Sequence, residues 1–285
     1  GAHRVRPLMV LLSARAARAA RNDEFSVPVD GSELQAEQVA IAAELLQIAI
    51  TIHDAAIGHP GGRRRRAARR LLSGAVGWLG GNHLTLRALE LVRSSSSPEV
   101  IGDLLEAMRE ISELHALVHA LEDRKPTVED AVAIADGYSG AVFSFACRAG
   151  ARMVGAERRV VSALGRYGRH AGLAWHLAEE LECLDGDADE VAEYLADFAY
   201  GRPNLALALA AAEDPQLAED WLALRAKPGR SRAGPLARRF VKTQAVRHGR
   251  RRLVKESWAA RRALSRLAPS PHRESLDRIA AGLAK

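Results

Sequence analysis

The segment LQAEQVAIAAELLQIAITIHDAAI, residues 34–57, decides the fold class. Its apolar positions, among them Val39, Ala43, Leu46 and Ile50, recur at steps of three and four residues, which is the spacing of one buried helix face. Glycine and proline in the following GHPGG end this predicted helix. The same spacing recurs along nearly the whole chain, and alternating strand-like runs are almost absent. The sequence therefore predicts an all-α protein.

Working outward from this segment, we predict a single helical domain over residues 1–285. The polar run KPGRSRAGP, residues 227–235, is predicted to be a loop. The further predicted helices cover residues 8–20, 67–92, 98–122, 128–150, 157–184, 189–198, 205–212, 215–226, 236–267 and 273–283.

Composition limits the classes of function. The chain has 285 residues, 48% of them hydrophobic and 27% charged, which excludes a disordered or collagen-like chain. Its net charge of +6 comes mainly from arginine, concentrated at residues 63–70 and 227–262. Such clusters suit nucleic acid, anionic lipid or diphosphate, or form a solvated face. Aromatic residues make up only 5% and no nucleic-acid module is recognisable, so nucleic acid is not an expected partner.

The two cysteines, Cys147 and Cys183, predict neither a disulfide framework nor a zinc module, and both are expected to be small buried residues. No apolar run reaches the roughly 20 residues of a membrane span. We therefore predict a cytoplasmic protein without a transmembrane segment. Whether residues are missing before Gly1 is left open.

The opening GAHRVRPLMVLLSARA resembles the pattern GGKRLRPLLVLLAARA of the trans-isoprenyl diphosphate synthases, or polyprenyl synthetase family. Further landmarks follow in that family's order: IHDAAIG at residues 52–58, LGGNHLTLRALEL at 79–91, YSGAVFSFACRAGA at 138–151 and YGRPNLALALA at 200–210. The segment YGRHAGLAWHLAEELEC at 167–183 stands where the family carries its second aspartate-rich motif. The resemblance covers almost the entire chain.

The resemblance implies an isoprenoid-synthase-type helical bundle, usually dimeric, around a central cavity that binds prenyl diphosphates. Family members join an allylic diphosphate to isopentenyl diphosphate, and Mg²⁺ held by two DDxxD motifs neutralises the departing diphosphate. Magnesium prefers oxygen ligands in octahedral geometry, and the DDxxD spacing puts its first and last carboxylates on one helix face.

Both motifs are degraded here. The first reads DAAIG and keeps only Asp54, while the second reads EELEC and ends on Cys183, a poor ligand for a hard cation. Asp54, Glu179 and Glu180 are the residual metal-binding candidates. We therefore expect magnesium to bind weakly or not at all.

The resemblance also marks diphosphate-binding and cavity-lining positions. Arg4 matches an arginine that contacts isopentenyl diphosphate, and Arg63 and Arg64 stand where the family carries a further arginine pair. Tyr138 and Ser139 replace a Lys-Thr pair that faces the allylic diphosphate. The predicted cavity-lining residues are Ala49, Ile50, His53, Tyr138, Ser139, Trp175 and His176.

Three hypotheses follow from a retained bundle with a depleted reaction centre. The first is a non-catalytic or regulatory subunit, forming a homodimer or a heterodimer with an active synthase. The second is an active but atypical prenyltransferase or terpene-synthase-like enzyme acting on an allylic diphosphate. The third is a protein that binds prenyl diphosphates without metal.

Overall fold

The computed structural model describes residues 5–19, 32–57, 74–94, 97–121, 124–125, 127–198 and 204–284. All regular elements in these ranges are helices, which confirms the predicted fold class. The α-helices are α1 Val5–Ala19, α2 Ser32–Ile57, α3 Ala75–Arg93, α4 Pro98–Ala120, α5 Val128–Ala135, α6 Ala141–Met153, α7 Arg158–Glu182, α8 Ala188–Phe198, α9 Leu205–Glu213, α10 Pro215–Ala226, α11 Arg230–Phe240, α12 Ala245–Leu264 and α13 Pro271–Leu283. A π-helical turn, Asp136–Gly140, joins α5 to α6.

The region around residues 227–240 differs from the prediction. Most of the predicted loop belongs to α11, and the helix predicted over 236–267 is broken at residues 241–244. The buried residues Ala233, Leu236, Ala237 and Phe240 form one apolar face of α11, so tertiary packing stabilises a helix that contains Pro235. The sequence-based prediction of a loop followed from the glycines and prolines of this segment, and it did not take the apolar face into account.

The interior consists of two hydrophobic clusters. The larger one gathers side chains from α1, α2, α4, α6, α13 and the first half of α7. The smaller one gathers side chains from α8 to α11 and the second half of α7. Helix α7 therefore runs through both clusters, and α12 packs along it.

Glycines allow α6 and α7 to approach closely. A Cβ atom at Gly168 would lie 2.3 Å from the carbonyl oxygen of Phe143, and one at Gly172 would lie 2.5 Å from that of Ser139. Only glycine fits at such contacts without movement of the backbone. This approach brings the π-helical turn against the half of α7 that carries the EELEC segment.

Helix α2 includes a 23-residue stretch, Leu34–Ala56, with a mean hydropathy of 1.5. By length and composition this stretch meets the criteria for a membrane span, in contrast to the prediction of none. Half of the stretch that meets the criterion is buried within the protein, as in a core helix. A core helix passes the same criteria, so this stretch does not establish a transmembrane segment.

The cysteine prediction is half correct. Cys147 is buried, and burial raises the pKa of its thiol to about 12, so the thiol stays protonated. Cys183 is exposed, which corrects the expectation that both are buried. The difference arises because Cys183 lies just after the last residue of α7, beyond its packed face.

Candidate functional site

Asp54, the carboxylate kept from the first motif, is enclosed by hydrogen bonds. It lies near the end of α2 and is 3% exposed. The Tyr138 hydroxyl donates to Asp54 Oδ1 at 2.5 Å, and His115 Nε2 lies 3.3 Å from the same oxygen. A buried carboxylate needs such partners, because an unpaired charge in the interior is costly. The side chain that replaces the family's lysine thus contacts the one carboxylate left in the first motif.

The π-helical turn orients Tyr138 and Ser139 toward the interior. Asp136 within the turn accepts from Arg169 on α7, with Nε–Oδ1 and Nη2–Oδ2 distances of 2.9 and 2.6 Å. Arg169 also pairs with Glu110 on α4 at 2.9 Å. This ion-pair network fixes the turn to two neighbouring helices. Irregular turns of this kind often occur at functional sites.

Ser139, His176 and Glu180 form a connected chain of polar contacts. Ser139 Oγ lies 3.1 Å from His176 Nδ1, and His176 Nε2 lies 3.2 Å from Glu180 Oε1. The other oxygen, Oε2, accepts the backbone N–H of Leu205 at 3.2 Å. Because Leu205 is the first residue of α9, Glu180 acts as a cap at the positive end of that helix. Both carboxylate oxygens therefore have partners within the protein.

The remaining acids of the EELEC segment are not enclosed in this way. Glu179, Glu182 and Cys183 are all exposed. No hydrogen bond to the Glu179 or Glu182 carboxylate occurs within the described part of the chain. Partial desolvation of the Cys183 thiol and the charges of the three neighbouring glutamates raise its pKa, so the thiolate, its metal-binding form, is disfavoured.

Arg6 on α1 is a charged residue of this region that was not predicted from the sequence. It is buried, pairs with Glu44 on α2 at 3.6 Å and lies 5.3 Å from the centre of the Phe143 ring. Burial lowers the pKa of its guanidinium, and the charges of Glu44 and Glu179 oppose that shift. Its place in the HRVRP segment was the signal that could have identified it.

His53 packs against α3. Its ring centroid lies 5.1 Å from that of Trp78, and a Cβ atom at Gly81 would overlap the imidazole. Burial lowers the pKa of His53, and the charge of His115 adds to this, while Asn82 and Asp54 oppose it. His53 is therefore held largely as neutral imidazole near pH 7.

Three further predicted cavity residues lie on α2 and α7. Ala49 and Ile50 are buried on α2, and Trp175 is half-buried with its ring 6.1 Å from that of Phe143. Their cavity-lining role stays a prediction. The predicted diphosphate ligands Arg4, Arg63 and Arg64 lie outside the described residues.

The donor set does not fit the magnesium cluster that the resemblance implies. The carboxylate of Asp54 is buried beneath Tyr138 and His115, and Glu180 uses both oxygens within the protein. Among the acids of the two degraded motifs, as the structure describes them, Glu179 and Glu182 alone present open carboxylates, and both lie on α7. Within the described ranges, no group of three His, Cys, Asp or Glu residues has an arrangement suited to a metal ion.

A bundle of long helices that carries the remains of two aspartate-rich motifs, Asp54 on α2 and EELEC on α7, belongs to the isoprenoid-synthase class of fold. A protein-family model described as polyprenyl synthetase matches residues 1–231. Because this match covers most of the 285 residues, the chain belongs to the polyprenyl synthetase family.

Curated relatives agree with this assignment. The chain is 30% identical over 182 residues to a (2E,6E)-farnesyl diphosphate synthase of Mycobacterium tuberculosis, a match that spans 62% of this chain and 47% of the relative. The chain thus matches about half the length of that relative. It is 25% identical to the octaprenyl diphosphate synthase of Escherichia coli, over 98% of this chain and 84% of that protein.

Solved structures show the same fold. A polyprenyl synthase from Caulobacter crescentus, in complex with calcium and isoprenyl diphosphate, is 25% identical with a TM-score of 0.83, over 100% of this chain and 85% of that one. The heptaprenyl diphosphate synthase of Staphylococcus aureus is 18% identical with a TM-score of 0.83, over 100% and 87%. The predicted family and its all-helical bundle are therefore confirmed.

Proposed function

We propose that this chain is a non-catalytic or regulatory subunit of an isoprenyl diphosphate synthase. The observation that carries the proposal is the enclosure of Asp54, because its Oδ1 oxygen is bound by Tyr138 and lies near His115. In catalysis by this family, that carboxylate would have to bind a metal ion instead. Stabilisation of the leaving diphosphate commonly accounts for several kcal/mol of the barrier, so its loss abolishes ordinary chain elongation.

The role of Glu180 supports the same proposal. Its carboxylate caps α9 and pairs with His176, which is a structural use of a position that the family reserves for metal binding. Both Glu180 carboxylate oxygens are bound by protein groups instead of water or a metal ion. These contacts stabilise the fold but leave the carboxylate unable to serve the reaction. The helices that form the bundle are retained, while the carboxylates of the site have structural contacts. We therefore favour a non-catalytic subunit over an independent enzyme.

Exposed apolar stripes support a subunit that docks on a second chain. On α2, Leu34, Ile41 and Ile48 are all exposed and spaced by seven residues, and on α3 Leu79 and Leu86 have the same spacing. Helices α2 and α3 pack against each other. Seven-residue apolar spacing on exposed helices favours packing against helices of a partner. The occupant we propose is an active synthase chain of the same fold.

An activity assay tests this function directly. The purified protein is incubated with Mg²⁺, isopentenyl diphosphate and each of dimethylallyl, geranyl, farnesyl and geranylgeranyl diphosphate, and products are followed by mass spectrometry. We expect no product from this chain alone. We also expect it to co-purify with an active family synthase from the same source when the two are co-expressed, and to change that enzyme's rate or product length. Full activity alone would overturn the proposal.

A second candidate, an atypical prenyltransferase, is favoured by the open carboxylates of Glu179 and Glu182 and by the charge attraction between Glu179 and Arg6. It predicts a magnesium-dependent product that Glu179→Ala abolishes. Glu90→Ala, which alters an exposed acid on α3, is the matched control and should leave that product unchanged.

A further inference from the structure

A basic pocket lies between α7 and α12, and none of the roles above uses it. It has a volume of about 440 Å³, and its apolar lining residues are Ala259 and Ala263. Its walls carry Arg166 and His170 from α7, and Arg262, Ser265 and Arg266 from α12 and the turn that follows. Four of the seven lining residues are basic and none is acidic. We call this the α7/α12 pocket.

The α7/α12 pocket is separate from the candidate site described above. His170 and Glu179 are nine positions apart on α7, which is about 2.5 turns at ~3.6 residues per turn. The two side chains therefore leave opposite faces of the helix. A ligand in the pocket would not contact Asp54, His176 or Glu180.

The pocket concentrates positive charge, and of its four basic lining residues His170 alone has an acidic partner, Glu256, within the described ranges. Arg166 and His170 are four residues apart on α7, and Arg262 and Arg266 have the same spacing. Basic residues at this spacing repel each other when charged. Neither the Arg262 nor the Arg266 guanidinium has an acidic partner within the ranges that the structure describes. A bound anion would relieve this repulsion.

Three other arginines of α12 have acidic partners. Arg250, Arg252 and Arg261 pair with Asp185, Glu256 and Asp277, respectively. Arg262 and Arg266 have no such partner among the described residues. The same is true of exposed Arg247 and Arg251, but of these four arginines it is Arg262 and Arg266 that lie together in the pocket.

One lining residue of the pocket, His170, is held in position by a buried carboxylate. Glu256 is buried, and its carboxylate lies 2.7 Å from His170 Nδ1 and 2.7 Å from Arg252 Nε. Burial raises the pKa of Glu256, but these hydrogen bonds outweigh it and leave the pKa below its ordinary value. The carboxylate accepts from Nδ1 and so fixes the imidazole, and Nε2 can donate to a phosphate oxygen when the ring carries both protons.

We propose that the α7/α12 pocket binds a phosphate-bearing group, either a soluble phosphorylated small molecule or a lipid headgroup. Guanidinium groups match phosphate oxygens in bidentate geometry and stay charged at all physiological pH values. Ser265 also lines the pocket, with its hydroxyl donating to the Arg262 carbonyl at 2.8 Å. We expect the ligand to carry two or more negative charges, because several basic side chains line the same pocket.

Binding is tested with sodium diphosphate, without divalent metal and at about 150 mM salt to screen diffuse attraction. The imidazole signal of His170, assigned by its loss in His170→Gln, is followed by NMR during the titration. We expect a saturable shift of this signal. Arg262→Gln should weaken the binding by about ten-fold or more, as expected for loss of a charged hydrogen bond.

Arg251→Gln is the matched control, because Arg251 is exposed on the same helix, outside the pocket, and its loss changes the net charge equally. It should change the binding less than about two-fold. The double variant Arg63→Gln/Arg64→Gln should keep the His170 response, since it alters only the predicted diphosphate ligands of the other site. Two results would rule out a soluble phosphate ligand: equal effects of Arg251→Gln and Arg262→Gln on the binding, or no saturable shift of the His170 signal. The lipid-headgroup alternative is then decided by the vesicle experiment.

Vesicles distinguish the two sources of the phosphate group. Phosphatidylcholine vesicles with and without phosphatidylglycerol are sedimented with the protein. Retention that requires phosphatidylglycerol and falls more with Arg262→Gln than with Arg251→Gln assigns a lipid headgroup. A His170 response to diphosphate without vesicle retention assigns a soluble ligand. Failure of both experiments rejects the pocket as a phosphate site.

Discussion

Glu179 and Glu180 are adjacent in sequence, yet the fold uses them differently. Glu180 caps α9 through Leu205 and contacts His176, whereas Glu179 is exposed. We expect Glu180→Ala to lower the free energy of unfolding by about 1–2 kcal/mol, because the N–H of Leu205 loses its acceptor. Glu179→Ala should stay within about 0.5 kcal/mol of the parent protein. Urea denaturation followed by circular dichroism measures both.

The same two variants also report on magnesium. If both glutamates bound the metal, Mg²⁺ would raise the melting temperature of the parent protein by mass action, and both variants would lose that increase. We expect no such increase. A shared magnesium-dependent stabilisation would contradict the structural assignment of Glu180.

His53 predicts a pH dependence of stability. Burial lowers its pKa in the folded state, so the unfolded chain binds a proton more readily as pH falls. The stability contributed by neutral His53 is therefore complete above the unfolded pKa of about 6.5 and is lost as pH falls below it. We expect His53→Gln to reduce the loss of stability between about pH 7 and pH 5.

Exposed His83 on α3 provides the control for this pH effect. Substitution His83→Gln should leave the pH profile of the unfolding free energy unchanged. The pKa of Glu256 is also lowered in the folded state. Its contribution to the unfolding free energy is therefore lost only as pH falls through and below the ordinary carboxyl range. A profile that His53→Gln does not flatten would show that His53 is not the titrating group.

At the scale of elements, the contact between α6 and α7 determines the geometry of the site. A methyl group at Gly168 would overlap the backbone of Phe143, which cannot move as a side chain could. We expect Gly168→Ala to cost about 1–3 kcal/mol or more of unfolding free energy. Gly102→Ala on α4 is the control, since no neighbouring atom lies within 4 Å of the position that a Cβ would take there. It should stabilise the protein by up to about 1 kcal/mol through helix propensity. Equal effects would rule out close packing as the reason for Gly168.

The sequence predicted the elements better than the contacts between them. Apolar spacing identified α2 and α7. At the start of α5, the Thr127 hydroxyl oxygen accepts the N–H of Asp130 and caps the helix. The π-helical turn was not predicted, because its five residues continue the helical pattern on either side. The first half of α11, residues 230–235, was predicted as a loop, because packing outweighs the effect of Pro235.

Pairings between distant residues were beyond the sequence alone. Comparison with the family pattern showed that Tyr138 stands in place of a lysine. The spacing of residues along the chain did not predict that the Tyr138 hydroxyl contacts Asp54. His115, which completes that contact, lies on α4 in a segment without any motif. Such contacts depend on tertiary packing, which local periodicity does not encode.

At the scale of the whole molecule, the exposed apolar stripes on α2 and α3 predict an interface. Leu79 and Leu86 are 69% and 60% exposed and lie two turns apart. If an active synthase chain packs there, Leu79→Glu/Leu86→Glu should abolish co-purification with that chain, because burying two unpaired carboxylates is unfavourable. Size-exclusion chromatography with light scattering measures the assembly, and circular dichroism verifies the fold.

The control for this interface is Val241→Glu, which puts a carboxylate on an exposed apolar residue between α11 and α12. It should leave the assembly intact, since Val241 lies on a different element. Loss of the partner's altered rate or product length should accompany loss of assembly in the double variant. Retained assembly in the folded double variant would reject these stripes as the interface, while the test of catalytic inactivity would stand on its own. A homodimer of the parent chain that the double variant separates would assign the same face to a second copy of this chain.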